Sequence, residues 1–234
     1  MAIMPFLAKT ASEMRSFSQI PAKTAWMACH FSPYGLGLSN LPRVLPSGSL
    51  LMVDDITPPH GHDPQIIAEQ LQQCVETLGC CGILLDFQRP DNAETATLVQ
   101  FLTTALPCPV AVSEEYAEAV DGPVFLSPVP PSVTLSGHLA PWAGRDIWLD
   151  LSLAAEVITV TEQGAQAVPL PFPDMDAEGF AETALHCHYR TELRENAAVF
   201  TLWRTREDLE NLLEEAEESG IRTAVGLYQE LSIL

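Results

Sequence analysis

Hydrophobic residues in this chain fall into short continuous runs that alternate with segments of helical periodicity. The runs at residues 49–53 and 82–88 are apolar at nearly every position, which is typical of parallel strands buried on both faces. Between them, Asp63 and Pro64 are favourable residues for the start of a helix, and Gly79 is a favourable residue just after its end. The alternation predicts parallel strands joined by right-handed crossovers.

The same pattern predicts six strands in the first 150 residues, at 24–31, 49–53, 82–88, 109–112, 124–126 and 146–149. A helix at 92–106, capped by Asp91 or Asn92, and a shorter one at 132–142 separate some of them. Beyond residue 150 the pattern predicts a hairpin at 157–168, a short helical piece at 176–184, and strands at 186–193 and 197–203. Thr205 and Asp208 form a capping-box pattern that begins a last long helix before a final strand at 221–227.

About eight strand candidates within 234 residues predict a single compact α/β domain, a TIM-like (β/α)₈ barrel with some helices short or missing. An open doubly wound sheet is the structural alternative, but no strand is followed by GxGxxG or a P-loop. We expect residues 1–23 to form an N-terminal arm and residues 24–234 to form the barrel domain, with a hairpin insertion at about 156–170.

The formal net charge of -20 argues against nucleic acids and anionic membrane surfaces as partners, because both require basic patches. Six cysteines without a CxxC pair are interpreted as small buried residues in a reducing compartment. No signal-peptide pattern or membrane-spanning run is present. We therefore expect a soluble cytoplasmic protein without a cofactor, and the oligomeric state remains open.

Polar residues follow the ends of most predicted strands, where a barrel assembles its functional site. Side chains of this kind suit sugar hydroxyls, a cationic ligand or a divalent metal, although some of them can instead cap the helix that follows. The residues are His30, Asp54, Asp55, Asp86, Gln88, Glu114, Glu115, Asp150 and Tyr228, with Tyr34 close by.

Two pairs of histidines raise the question of a metal site. His60 and His62 lie in a loop next to two prolines, and a solvated loop is the favoured interpretation. His186 and His188 would share one face of a strand, but no third and fourth ligands are evident. The sequence therefore predicts no metal site.

The predicted strand at 82–88 resembles the signature strand of the family 18 glycoside hydrolases, the chitinase-like barrels. That signature runs D-G-x-D-x-D-x-E and is often followed by Tyr-Pro. Here the corresponding residues are Cys81-Gly82-Ile83-Leu84-Leu85-Asp86-Phe87-Gln88-Arg89-Pro90. The glycine, the last aspartate, the aromatic residue and the proline match, whereas Cys81 and Leu84 replace the first two aspartates and Gln88 replaces the glutamate.

Two other segments are similar to the family at a weaker level. The segment 147–150, which ends in Asp150, stands where the family has a strand ending M-x-Y-D. The tail from residue 199 is similar to the family's last segment, and its final strand ends at Tyr228 where the family has a tryptophan.

The resemblance implies substrate-assisted hydrolysis of N-acetylhexosamine glycans. In the family, the glutamate protonates the leaving oxygen, and the aspartate two residues earlier orients the attacking acetamido group of the substrate. Carried over, Asp86 keeps the orienting position and Gln88 occupies the acid position. A neutral amide has no proton to donate near neutral pH, and general acid catalysis contributes about 10² to 10⁴ in rate, so chitinase activity is expected to be badly impaired.

Three hypotheses follow. The first is a pseudoenzyme barrel that binds an oligosaccharide or another small polar ligand, with Asp86, Gln88, Asp150 and Tyr228 in its pocket. The second is an active glycosidase whose acid has moved to Glu114, with a second carboxylate from Asp86, Asp54 or Asp55. The third is a non-enzymatic scaffold or interaction protein.

Overall fold

The computed structural model describes residues 3–15, 23–90, 92–170 and 178–231. Eight parallel strands form a closed barrel in the order β1, β2, β4, β5, β6, β7, β8 and β14, and β14 pairs again with β1. The closed parallel barrel confirms the predicted TIM-like fold. The strands are β1 (Phe6–Lys9), β2 (Thr24–Phe31), β4 (Leu50–Asp54), β5 (Gly82–Asp86), β6 (Val110–Ser113), β7 (Val124–Leu126), β8 (Ile147–Leu151) and β14 (Thr223–Leu227).

The helices around the barrel are unequal in length, as expected for a barrel of this size. Two of them, α2 and α3, pack over one side of the barrel, whereas 3-10 turns at Glu114–Ala119 and Ala140–Trp142 take up part of the other connections. A two-residue strand, β3 (Leu38–Ser39), pairs antiparallel with β2 in place of a helix. The helices are α1 (Ala11–Arg15), α2 (Pro64–Leu78), α3 (Ala93–Ala105), α4 (Leu135–Leu139), α5 (Arg206–Glu218) and α6 (Tyr228–Leu231).

The predicted helix boundaries are explained by local hydrogen bonds. The Asp63 side chain accepts from the backbone N–H of Gln65, and Gly79 adopts a left-handed φ of 67° that ends α2. Asn92 caps α3, while Asp91 lies outside the described residues. Thr205 and Asp208 form the predicted capping box of α5.

A five-stranded antiparallel sheet, here called the second sheet, is inserted between β8 and α5. Its strand order is β10, β9, β13, β12, β11. The predicted hairpin is therefore present as β9 and β10, but as one edge of a larger sheet. The strands are β9 (Ala155–Thr161), β10 (Gly164–Pro169), β11 (Phe180–Glu182), β12 (Cys187–Arg194) and β13 (Ala197–Trp203).

Two segments differ from the sequence-based expectation. The helical piece predicted at 176–184 is wrong at Phe180–Glu182, which pair with β12 as a strand, whereas Thr183–Leu185 form a 3-10 turn; residues 176 and 177 lie outside the described residues. Within the segment 1–23 that was expected to be an arm, Phe6–Lys9 pair with both β14 and β2 and close the barrel. A four-residue run has too little periodicity to be recognised from sequence.

The barrel interior is filled by alternate residues of its strands. Gly82 lies at the start of β5, where a Cβ atom would come within 2.9 Å of the Trp148 ring. Glycine at this position therefore leaves room for the largest interior side chain. The interior cluster comprises Phe6, Ala8, Ala25, Leu50, Met52, Leu84, Ala111, Phe125, Trp148 and Val225.

Among the described residues, no helix is long and apolar enough to cross a membrane.

Candidate functional site

The carboxyl ends of the barrel strands, here called the barrel mouth, bring together aspartates from three strands. On β4, β5 and β8 the interior positions Met52, Leu84 and Trp148 are each followed two residues later by an aspartate. Because side chains of a strand alternate between its two faces, these aspartates point into the mouth above the interior cluster. They are Asp54, Asp86 and Asp150.

Asp54 and Asp86 are neighbours across two adjacent strands. They are register partners of the β4–β5 pair, and neighbouring strands lie about 4.8 Å apart. Burial raises the pKa of the Asp86 carboxyl, the Gln88 amide lowers it, and the charges of Asp54 and Asp55 raise it further. Burial also raises the pKa of the Asp54 carboxyl. The mouth thus contains closely spaced carboxyl groups that hold protons more tightly than exposed aspartates do.

Asp150 is the most strongly perturbed carboxyl group of the mouth. Burial, together with the negative charges of Asp86 and Glu230, raises its pKa to about 7. Glu230 is itself held in place, since its carboxylate accepts the backbone N–H of Leu153 at 2.7 Å. Asp150 therefore carries a proton for much of the time near neutral pH and can act as a hydrogen-bond donor.

Gln88 is exposed at the mouth and is bonded to Asp86. Its Nε2 donates to Asp86 Oδ1 at 2.5 Å, so the amide lies against the carboxylate. The Ser113 hydroxyl accepts the N–H of Phe87 at 2.7 Å and donates to the Leu85 carbonyl at 3.0 Å. These bonds on both sides of Asp86 fix the end of β5.

Asp55 has a different position from Asp54. Its side chain is 3% exposed, and its two carboxylate oxygens accept the backbone N–H groups of Gln88 at 2.9 Å and Arg89 at 3.0 Å. The Arg89 side chain donates in return to the backbone carbonyls of Asp55 and Ile56, both at 2.8 Å. In this geometry Asp55 ties β4 to the loop that carries Gln88, and each of its two carboxylate oxygens already accepts a backbone N–H group.

Two cavities meet at Gln88. The first, of about 340 Å³, lies over the side chains of Met27 and Met52. The second, of about 150 Å³, lies between β5, β6, β7 and β8. The first is lined by Met27, Met52, Asp54, Asp55, Ile56, Asp86, Gln88 and Arg89, and the second by Phe87, Gln88, Ser113, Glu114, Glu115, Phe125, Ser127, Pro128 and Asp150.

The other predicted site residues lie at varying distances from these cavities. Glu114 lines the second cavity, as described, and His30 is the register partner of Asp54 at the end of β2. Tyr228 follows β14, and its ring lies 4.1 Å from the Lys9 ammonium. Tyr34 is 97% exposed and lines neither cavity. The structure therefore brings most of the predicted residues to the mouth and leaves Tyr34 outside it.

Sequence reasoning missed two charged residues near the mouth, Lys9 and Glu230. Lys9 ends β1 and is fully buried, and burial lowers the pKa of its ammonium group. Its only signal in the sequence is a lysine directly after a short apolar run. Glu230 follows the end of β14 by three residues, within α6.

The histidine pairs are each engaged in other contacts. His60 Nδ1 lies 2.5 Å from Glu94, and the His62 ring contacts the carbonyls of Pro59 and Ser32. His186 and His188 contact Glu215 at 2.6 Å and Asp208 at 2.9 Å. Within the described parts of the chain, no group of three or more His, Cys, Asp or Glu residues is arranged to hold a metal ion.

Comparison with known proteins gives matches in structure alone. No protein-family model and no curated protein matches the sequence. A family 18 chitinase from Cycas revoluta, a variant in complex with (GlcNAc)4, matches with a TM-score of 0.61 and 14% identity over 96% of this chain and 94% of that one. A class V chitinase variant from Nicotiana tobaccum in complex with NAG4 matches with a TM-score of 0.60 and 10% identity over 97% of this chain and 93% of that one.

A spore cortex-lytic enzyme, SleL of Bacillus cereus, also matches, with a TM-score of 0.54 and 11% identity over 96% of this chain and 70% of that one. Identities this low establish a common fold and no more. The chain has the barrel fold of the family 18 chitinases.

Proposed function

We propose that the barrel mouth binds an oligosaccharide, or another small polyhydroxylated ligand, and hydrolyses it slowly or not at all. The observation that carries this proposal is the pair formed by Gln88 and Asp86 at the end of the fourth barrel strand. An amide occupies the position of the acid in the signature that this strand resembles. Gln88 can donate and accept hydrogen bonds, but it has no proton to transfer to a leaving oxygen.

The shape and chemistry of the larger cavity support a sugar as the ligand. Its volume of about 340 Å³ is within the usual range of small-molecule sites. Met27 and Met52 supply an apolar floor, while Asp54, Asp86 and Gln88 supply hydrogen-bonding groups at its rim. A pyranose ring has the matching combination of an apolar face and a polar edge.

The solved structures support the same ligand class by analogy. Two of the chitinases with this fold are variants in which a glutamate is replaced by glutamine, and both are in complex with a tetrasaccharide of N-acetylglucosamine. We take this tetrasaccharide as the first ligand to test.

Titration calorimetry with the N-acetylglucosamine tetrasaccharide, together with a reducing-end assay of the same samples, tests the proposal. We expect saturable binding, little or no release of reducing ends, and loss of binding in Asp86→Ala. The matched control is Tyr34→Ala, which removes an exposed side chain outside both cavities and should bind like the wild type. Absence of binding, or binding that survives Asp86→Ala, contradicts the proposal, and absence of both binding and turnover favours a scaffold.

A second candidate function is glycoside hydrolysis with a different proton donor. Glu114 and Asp150 both line the cavity next to Gln88, and the raised pKa of Asp150 keeps part of it protonated near neutral pH. This candidate predicts measurable turnover by the wild type. Loss of turnover in Glu114→Gln assigns the acid to Glu114, and loss in Asp150→Asn assigns it to Asp150.

A further inference from the structure

The second sheet has two edges of different character. At one edge, β11 is only three residues long and ends in Glu182. At the other edge, β10 is six residues long, all of its residues are exposed, and none has an ionisable side chain. Proteins usually protect edge strands with charges, short length or an internal proline, and β10 has only Pro169 at its end.

The hydrogen bonds of β10 show which of its backbone groups face away from β9, its one partner strand among the described residues. Leu170 continues the β9–β10 register, and its N–H donates to the Ala155 carbonyl at 2.8 Å. Hydrogen-bonded and outward-facing residues alternate along an antiparallel strand, so Gln166 and Val168 bond to β9. Ala165 and Ala167 therefore point their N–H and C=O groups outward, and Pro169 adds a carbonyl.

We propose that β10 pairs antiparallel with β10 of a second copy of this chain and joins the two second sheets into one. The charge of the molecule limits the surfaces at which a second copy can bind. The chain has 31 acidic and 11 basic residues, so contacts between most surfaces of two copies are repulsive. An uncharged strand is a place where two such molecules can approach without burying like charges.

A register centred on Gln166 satisfies every outward N–H group of β10. If Gln166 lies opposite Gln166 of the partner subunit on the two-fold axis, Ala165 of each copy pairs with Ala167 of the other, and four backbone hydrogen bonds form. Pro169, which has no N–H, then lies opposite the turn at Gln163 of the other copy. A symmetric contact of this kind is self-complementary and closed.

Among the described residues, Glu162 is the acidic residue next to β10 in the chain, and the same register keeps its two copies apart. Glu162, in the turn before β10, comes opposite residue 170 of the other copy. The two Glu162 side chains are then eight residues apart along the strand direction, which is about 27 Å at about 3.4 Å per residue. That separation is larger than the Debye length of about 8 Å at physiological ionic strength, so the two charges are well screened from each other.

The neighbouring side chains extend the uncharged surface across the sheet. Ala165, Val160, Ala198 and Leu193 are register partners in successive strands and lie on one face. Val160 is 38% exposed and Leu193 85% exposed. Pairing at β10 would place this apolar row next to the corresponding row of the second copy.

Sedimentation velocity over a range of protein concentrations tests the proposal. We expect a reversible dimer that strengthens as NaCl is raised from about 0.1 M to about 1 M, because the interface has no ion pairs while the two acidic molecules repel. A wild-type protein that is monomeric under all these conditions overturns the proposal. So does a dimer that weakens with salt.

Charge substitutions at the two-fold axis locate the interface. Directly opposed like charges cost up to about 1 kcal/mol, so Gln166→Glu and Gln166→Lys alone should each weaken the dimer by about fivefold. An equimolar mixture of the two variants should restore it. Gln73→Glu, at an exposed position of α2, makes the same change of charge on the barrel and should leave dimerisation unchanged. A dimer that is indifferent to both Gln166 variants places the contact elsewhere and overturns the proposal.

Discussion

Replacement of Asp55 by alanine provides the sharpest test of how the site is held. The Asp55 carboxylate accepts two backbone N–H groups, those of Gln88 and Arg89, and is almost fully buried. Alanine leaves both donors without their acceptor. Each lost bond of this kind costs about 1–3 kcal/mol, so the free energy of unfolding should fall by about 2–6 kcal/mol.

Asparagine at the same position distinguishes the effect of the lost charge from the effect of the lost hydrogen bonds. Its side-chain oxygen can still accept one of the two N–H groups, but its amide nitrogen faces the other donor. We therefore expect Asp55→Asn to lose roughly half as much stability as Asp55→Ala. Both variants should also weaken ligand binding at the mouth, because the Gln88 backbone loses its support.

Urea unfolding followed by circular dichroism measures the effect, with an unchanged m-value as the condition for comparing midpoints. Asp121→Ala removes an exposed aspartate from the loop before β7 and is the control, with an expected change within about 0.5 kcal/mol. If Asp55→Ala is as stable as this control, the carboxylate does not hold the loop and the reasoning is refuted.

Three further predictions concern stability. Because the pKa of Asp150 is raised from 3.8 to about 7, the folded state keeps a proton that the unfolded state loses, so this group costs stability as pH rises from about 4 through about 7. In urea unfolding, Asp150→Asn should therefore gain stability relative to the wild type over that pH range, and a difference in unfolding free energy that is the same at pH 4 and pH 8 contradicts the assignment. Gly82→Ala places a Cβ 2.9 Å from the Trp148 ring and should cost about 1–3 kcal/mol in thermal unfolding, whereas Gly35→Ala, at an ordinary contact of 3.4 Å, should not. Arg204 is 1% exposed and its guanidinium donates to the carbonyls of Val129, Pro130, Leu185 and His186, so Arg204→Leu should loosen the second sheet. Hydrogen exchange of β12 and β13 should then accelerate more than that of β4 and β5, and an equal acceleration in all four strands would argue against this role.

The parts of the fold that sequence reasoning found are those with strong local signals. The continuous apolar run of β5 and the caps of α2 and α5 depend on residues that are neighbours in the chain. The run Phe6–Lys9 carries no such signal, because it becomes a strand only through contacts with β14 and β2. The sequence around the edge strand Phe180–Glu182 likewise predicts a helical piece and not a strand, since its partner is β12 and its own residues have no strand periodicity.

The candidate site likewise contains residues with a local sequence signal and residues whose role depends on the fold. Asp54, Asp86 and Asp150 were identified because each lies at the end of an apolar strand. Asp54 and Asp55 are adjacent in the sequence and give the same local signal, but only the structure separates a carboxylate in the mouth from one bonded to two backbone N–H groups. The alternation of side chains along β4 offers a partial signal for this difference, because Leu50, Met52 and Asp54 share the inward face and Asp55 does not.

The closure of the barrel by β1 has a consequence for biosynthesis. Strand β1 leaves the ribosome before the other barrel strands, and its partner β14 follows it by more than 200 residues. At about 5–20 residues per second, β1 waits roughly 10–40 seconds for that partner. Throughout this interval β1 exposes an unpaired strand edge, and β8 does so from its own synthesis onward, so the nascent chain needs protection from other chains until residue 227 has emerged.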